Sequence, residues 1–255
     1  MNPKKRRRLR NNLSTLKASA ISVAPQDIFA SSTTQATDIG AMASTGDGRY
    51  FRYFYNGGVA AIPGQVFQGA AEDTTNQNPS GGLAVAAAAI GATQVTLTGS
   101  LTLAANLLAG GFMAVAVTPG QGYNYKVKSN TVVAGATGCV VTLEDPIIVA
   151  LTTASKVVFK LNPYYGCVVA PSTMTASIAG VPVVATPINN YGWIQTRGMA
   201  CCLQTGSGTC GTALGYLQGG TSGSLAPAIA GTPILAWAAD TNVTGQYGNV
   251  YLTID

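Results

Sequence analysis

The sequence predicts an all-β fold: two β-sandwich or barrel-like domains behind an extended basic N-terminal arm. Three observations carry that expectation. Apolar residues alternate with polar ones in short runs, with no sustained 3.6-residue period. Turn-forming residues punctuate the runs, and 31 of the 255 residues are glycine. Only 9% of residues are charged while 47% are hydrophobic, against about 25% charged in an ordinary soluble domain. A chain with so little charge has much neutral surface, and such surface is usually covered by partners.

Residues 1–40 read as the arm. Lys4, Lys5, Arg6, Arg7, Arg8, Arg10 and Lys17 fall within the first 17 residues, with no acid among them. Ser, Thr, Ala and Gln follow with little periodicity, and nothing there could bury a core by itself. The rest of the chain holds seven basic and nine acidic residues, so the basicity belongs to the arm and not to the fold.

Residues 41–163 read as the first β domain. The segment DGRYFRYFYNGG is a turn, an aromatic strand and a second turn. Tyr50, Arg52 and Phe54 share one face of that strand, and Phe51, Tyr53 and Tyr55 share the other. Both faces carry bulk, so both should be covered. Residues 70–82 form a polar loop. The apolar run Leu83–Ile90 is expected to be a buried strand or short helix. Strands are expected at 94–98, with Val95 and Leu97 inward, and at 112–118, ending on the turn Pro119-Gly120. Further strands follow at 123–128, 138–143 and 156–161.

Asn162-Pro163 breaks the chain, and residues 164–255 read as the second β domain. Its strands are expected at 166–169, 191–197, 199–203, 234–238 and 249–254. Ile194 should face the core. Trp193 should pack either at a domain or subunit contact or within the core.

Catalytic chemistry finds little to work with. Histidine is absent, which removes Ser-His-Asp and Cys-His arrangements and the commonest metal ligand. Glu72-Asp73 and Glu144-Asp145 are neighbours in loops or turns, unlike a glycosidase pair, which faces across separate elements. The glycine runs at 120–125 and 206–211 lack a P-loop Lys-Ser/Thr and precede no helix. The five cysteines contain no CxxC pair, and free thiols are expected. The sequence therefore predicts no enzyme, no cofactor and no metal site. The residues after the basic run, NNLSTLKASAIS, are polar where a secretory signal needs an apolar core. The longest apolar run is about a third of a membrane span. Synthesis in the cytoplasm without membrane insertion is expected.

Several segments, taken in order over residues 46–255, resemble structural proteins of tailed bacteriophages. They are DGRYFRYFYNGG, IGATQVTLTG, GGFMAV with PGQGYNYKVKSN, TLEDPIIVAL, KLNPYYGCVV, NNYGWIQTRG and YGNVYLTID. The resemblance implies a virion component, and specifically a capsid decoration or cement protein on the outer surface of the shell. It further implies the major capsid protein as partner and a homotrimer seated on local threefold positions. The arm lies outside the resemblance.

For the arm, docking on an acidic or carbonyl-rich capsid surface is favoured, with binding to packaged nucleic acid and a solubilising tail as alternatives. RYFRYFY allows base stacking with arginine help, but a strand packed on both sides is favoured there. Arg49, Arg52, Tyr53, Trp193 and Arg197 are the expected interface residues of the body. A tail or head-fibre component is the alternative structural role, though fibres usually show repeats that this chain lacks.

Overall fold

A computed structural model describes residues 21–22, 27–216 and 220–255. The arm cations Lys4, Lys5, Arg6, Arg7, Arg8, Arg10 and Lys17 lie outside these residues. Strands dominate the regular structure of the described residues. The described residues contain one 3₁₀ turn, Asp27–Phe29, and no α-helix. No helix among them is long and apolar enough to cross a membrane.

The strands form two main bodies. The first is a six-stranded, nearly closed barrel ordered Leu83–Ala84, Lys156–Lys160, Phe112–Val117, Asn124–Asn130, Cys139–Leu143 and Gln94–Leu97. Its two edges meet at a bridge between Val85 and Leu97. There Ala86 N donates to Thr96 O and Thr98 N to Ala84 O, each at 2.9 Å. Alternation sets the inside: Val95, Leu97, Met113, Val115, Val127, Val141, Val157 and Phe159 are all buried. They belong to a core of twenty buried residues. Each large aliphatic among them contributes roughly 1.5–3 kcal/mol by leaving water. Leu101–Leu103 and Val133–Ala136 pair as a small annex. In the run Leu83–Ile90 only Leu83–Ala84 is strand, and Ile90 is exposed.

The second body is an eleven-stranded sheet whose spine is the 13-residue strand Tyr191–Leu203. The two strands expected at 191–197 and 199–203 are therefore one. A register shift between Gln195 and Arg197 absorbs the irregularity. Gly198, at φ +89°, lies so close to its neighbour that a Cβ there would meet Gly48 O at 2.6 Å. The first half of the spine pairs with Tyr50–Tyr55 and the second half with Tyr247–Thr253. Beyond Tyr247–Thr253 come Ile234–Ala238, Ala213–Gly215 and Ala226–Pro227, and beyond Tyr50–Tyr55 comes Met42–Ser44.

The structure thus divides the chain differently from the linear split 41–163 and 164–255. Met42–Ser44, Tyr50–Tyr55 and Phe67–Gln68 belong to the sheet of the C-terminal half, and the barrel is an insertion between Phe67–Gln68 and Val168–Val169. Phe67–Gln68 pairs antiparallel with Val168–Val169, so the chain leaves for the barrel and returns at neighbouring strands. The physical reason lies in Tyr50–Tyr55. Phe51 and Tyr53 bury against Ile28, Ala43 and Trp193, while Phe54 buries against Phe67, Cys167 and Ile194. Only a central strand with cover on both sides accommodates that pattern. Ile194 is fully buried, as its alternation required.

Candidate interaction surface

Two of the five expected interface residues are interior. Tyr53 and Trp193 are 4% and 9% exposed. Their rings meet at 5.1 Å and 65°, and the Tyr53 hydroxyl accepts from Ala36 N at 3.0 Å. Their neighbours all come from this chain, so within it they act as core.

The three arginines are at or near the surface. Arg49 pairs with Asp47 at 2.7 Å and lies over the Phe51 ring at 5.7 Å. Hydrogen bonds from Arg49 and Thr45 hold the Asp47 carboxyl well below the usual carboxylate range. Arg52 pairs with Asp255 at 2.7 Å and donates to Gly40 O at 3.2 Å. Its guanidinium lies 5.7 Å from the centre of the Tyr164 ring. Burial, reinforced by the Asp255 charge, pushes the Tyr164 hydroxyl up to about 12. Arg197 is exposed. Arg52, Arg197 and Asp255 line one cavity of about 360 Å³ together with Met42 and Tyr50. The fold therefore brings Arg52 and Arg197 together, and places Arg49 on a different cavity.

The larger uncharged surface lies on the outward side of the spine and its neighbours. In Tyr247–Thr253 burial alternates: Gly248, Val250 and Leu252 are buried, while Tyr247, Asn249, Tyr251 and Thr253 are exposed. Tyr251 stands opposite Met199 on one side and Trp237 on the other. Met199, Tyr251 and Trp237 are 47%, 41% and 44% exposed. Directly opposed side chains on one face touch or nearly touch, so the three make a continuous band. Met199, Tyr251 and Trp237 carry no charge, and the exposed Arg197, on the same face two residues before Met199, borders the band. Met199, Cys201, Tyr247 and Asn249 continue into a groove of about 440 Å³ whose far wall includes Phe29 and Arg49.

The sequence reading passed over this band, although a signal was present. In YGNVYLT both phases of the alternation carry bulk: tyrosines in one and Val250 with Leu252 in the other. The second phase packs on Cys202, Leu214 and Ala236, which leaves the tyrosines outward.

Several of the acids are held by local hydrogen bonds or ion pairs. Asp73 accepts from Thr75 N, Asn76 N and Asn76 Nδ2. Glu144 pairs with Lys126 at 3.3 Å, and Asp240 accepts from Asn249 Nδ2 at 2.9 Å. Cys139, Cys167 and Cys202 are buried, and Cys201 and Cys210 are exposed. Adjacent Cys201 and Cys202 thus point to opposite faces.

No protein-family model matches the chain, and no curated protein and no solved structure matches it.

Proposed function

We propose that this chain is a non-enzymatic structural protein that binds other proteins in a large assembly, as a decoration protein on the outside of a tailed-phage capsid. The observation that carries the binding role is the uncharged band Met199–Tyr251–Trp237 across three adjacent strands of a large sheet. Half-exposed aromatic and thioether side chains in a continuous row lower their free energy when a partner covers them. The absence of histidine supports a role without acid-base catalysis. The capsid assignment rests on the sequence resemblance of residues 46–255. The partner is then the major capsid protein, with the chain acting as a homotrimer whose arm adds contact area through its cations. A map of intact particles tests the reading. Density for the barrel and the eleven-stranded sheet on the outer shell supports it. Density confined to tail or fibres transfers the chain to that role, and particles without the chain overturn the reading.

A further inference from the structure

At one end of the large sheet two loops clasp each other. One follows the spine through residues 204–212, and the other, residues 239–246, joins Ile234–Ala238 to Tyr247–Thr253. Asn242 N donates to Gly208 O at 3.0 Å, Gly245 N to Gln204 O at 2.8 Å, and Gly206 N to Thr244 Oγ1 at 3.0 Å.

The clasp encloses polar side chains that the protein leaves unpaired. Gln204 is 1% exposed and Asn242 is 8% exposed. Gln204 Nε2 and Oε1, Asp240 Oδ1 and Asn242 Nδ2 are buried without a hydrogen-bond partner. Buried polar atoms are rarely left so, and four in one place call for a ligand or ordered solvent.

Their positions converge on two glycines. Gln204 Oε1 lies 3.6 Å from where a Cβ of Gly208 would stand. Gly208 is the bridge partner of Asn242, and bridged residues direct side chains to the same side. At Gly248 a Cβ would collide with Asn242 Nδ2 and would meet Asn242 Cγ at 2.6 Å and Asp240 Oδ1 at 2.9 Å. The unpaired atoms set over this bare backbone are two oxygens, Gln204 Oε1 and Asp240 Oδ1, and two amide nitrogens, Gln204 Nε2 and Asn242 Nδ2.

The loop sequence has an order that suits a cation. Asp240, Asn242 and Thr244 alternate with other residues and are followed by Gly245 at φ +84°. Oxygen ligands at alternate positions and a left-handed glycine at the sixth open the calcium loop of EF-hands. Here Tyr251 stands where that loop has its bidentate glutamate, and Gln204 comes in from the facing loop. Asp240 Oδ2 is held by Asn249 N and Nδ2 at 3.2 and 2.9 Å, which leaves Oδ1 for a ligand.

We infer that this end of the sheet is a weak calcium site in which Asp240, Asn242 and Gln204 supply side-chain oxygens and the ion joins the two loops. Asn242 presents its amide oxygen by a half-turn of its terminal amide, a choice that heavy-atom positions do not fix. Carboxylate and amide oxygens on surface loops suit the variable coordination of Ca²⁺ better than the strict octahedron of Mg²⁺. A single carboxylate places the affinity at the weak end, with a dissociation constant of roughly 10⁻⁴–10⁻³ M. The site is independent of the capsid reading.

The test uses the full chain, stripped with EDTA and titrated with CaCl₂ by calorimetry, beside thermal unfolding with and without about 10 mM salt. Calcium should bind and raise the unfolding midpoint by about 3–5 °C, with a smaller effect from MgCl₂. Asp240→Asn should weaken calcium binding by at least about tenfold. Should that variant fail to fold, the unaltered chain still decides. A flat calorimetric titration with an unchanged midpoint overturns the proposal and leaves ordered water as the occupant. Calcium binding unchanged in a folded Asp240→Asn variant also overturns it.

Discussion

Tyr53 and Trp193 stand opposite each other on adjacent strands, their rings 5.1 Å apart and 65° from parallel. One residue precedes the barrel in sequence and the other follows it, so this contact helps join the two chain segments that meet in the middle of the large sheet. Trp193→Ala should destabilise the isolated chain by about 3–5 kcal/mol, the usual cost of emptying a large aromatic site. A double-mutant cycle with Tyr53 should give a coupling of about 0.5–1.5 kcal/mol. Urea unfolding of the unassembled protein measures both. A variant as stable as the parent, defective only in assembly, would return Trp193 to an interface role.

A second prediction concerns Gly180, in the strand Ile178–Pro182 that crosses between Phe67–Gln68 and the spine. Its φ is +149°, and a Cβ would meet Gln195 O at 2.6 Å. Gly180→Ala should cost roughly 1–3 kcal/mol through backbone strain and lost sheet contact. The same change at Gly99, which has open space around it, should cost less than about 1 kcal/mol. Equal effects at the two sites would contradict the packing described.

The thiols should separate by burial. Burial pushes the Cys139, Cys167 and Cys202 thiols up and shields them, whereas Cys201 and Cys210 are exposed. A thiol reagent at mildly alkaline pH should modify Cys201 and Cys210 in the folded chain and all five cysteines in denaturant. Peptide mass spectrometry reads the sites, and rapid native labelling of Cys167 or Cys202 would contradict the core assignment.

Tyr164 should make stability fall at high pH. Its hydroxyl is pushed up to about 12, first by burial and then by the Asp255 charge. An unfolded tyrosine ionises near pH 10. Between about 10 and 12 the unfolded chain has lost a proton that the folded chain keeps, so stability drops with pH across that window. Below it the contribution is fully present. Denaturant midpoints across that range should fall less steeply for Tyr164→Phe than for the parent, and identical slopes would contradict the assignment.

Much of the fold was legible where side chains were large. Val95 and Leu97 alternate inward as read, and the strand read near residues 234–238 is Ile234–Ala238. The bulk on both faces of Tyr50–Tyr55 announced a covered strand. Local patterns do not say which strand will do the covering, so its pairing with Tyr191–Leu203 was not legible. Short strands were also missed: Ile178–Pro182 and Ala213–Gly215 each bury one large side chain, Val181 and Leu214, among Ala, Gly and Pro, which gives no visible alternation. Arg52 and Arg197 were read as interface residues; Arg52 is half-buried and paired with Asp255, and Arg197 is exposed. Trp193 was not placed, because an aromatic residue fits a core and an interface equally. The clasp of Gln204 with Asp240 and Asn242 was not legible because it holds one carboxylate beside two side-chain amides, which form no cluster of carboxylates or thiols in the sequence.

The central claim is that the chain works by binding a protein shell, with the cations of residues 1–17 adding to contacts of the β body. The most direct measurement compares the full chain with one lacking residues 2–17, binding to empty, DNA-free capsids over a salt series. Each exposed ion pair is worth below about 1 kcal/mol, but several pairs repeated over a multimer multiply in avidity. They should be screened as salt shortens the reach of charge below about 8 Å. The account predicts tight binding of the full chain to empty shells, weakened by salt and reduced at least about tenfold by the deletion. Equal affinity of both chains for empty shells, or loss of binding only on DNA-filled particles, would contradict it.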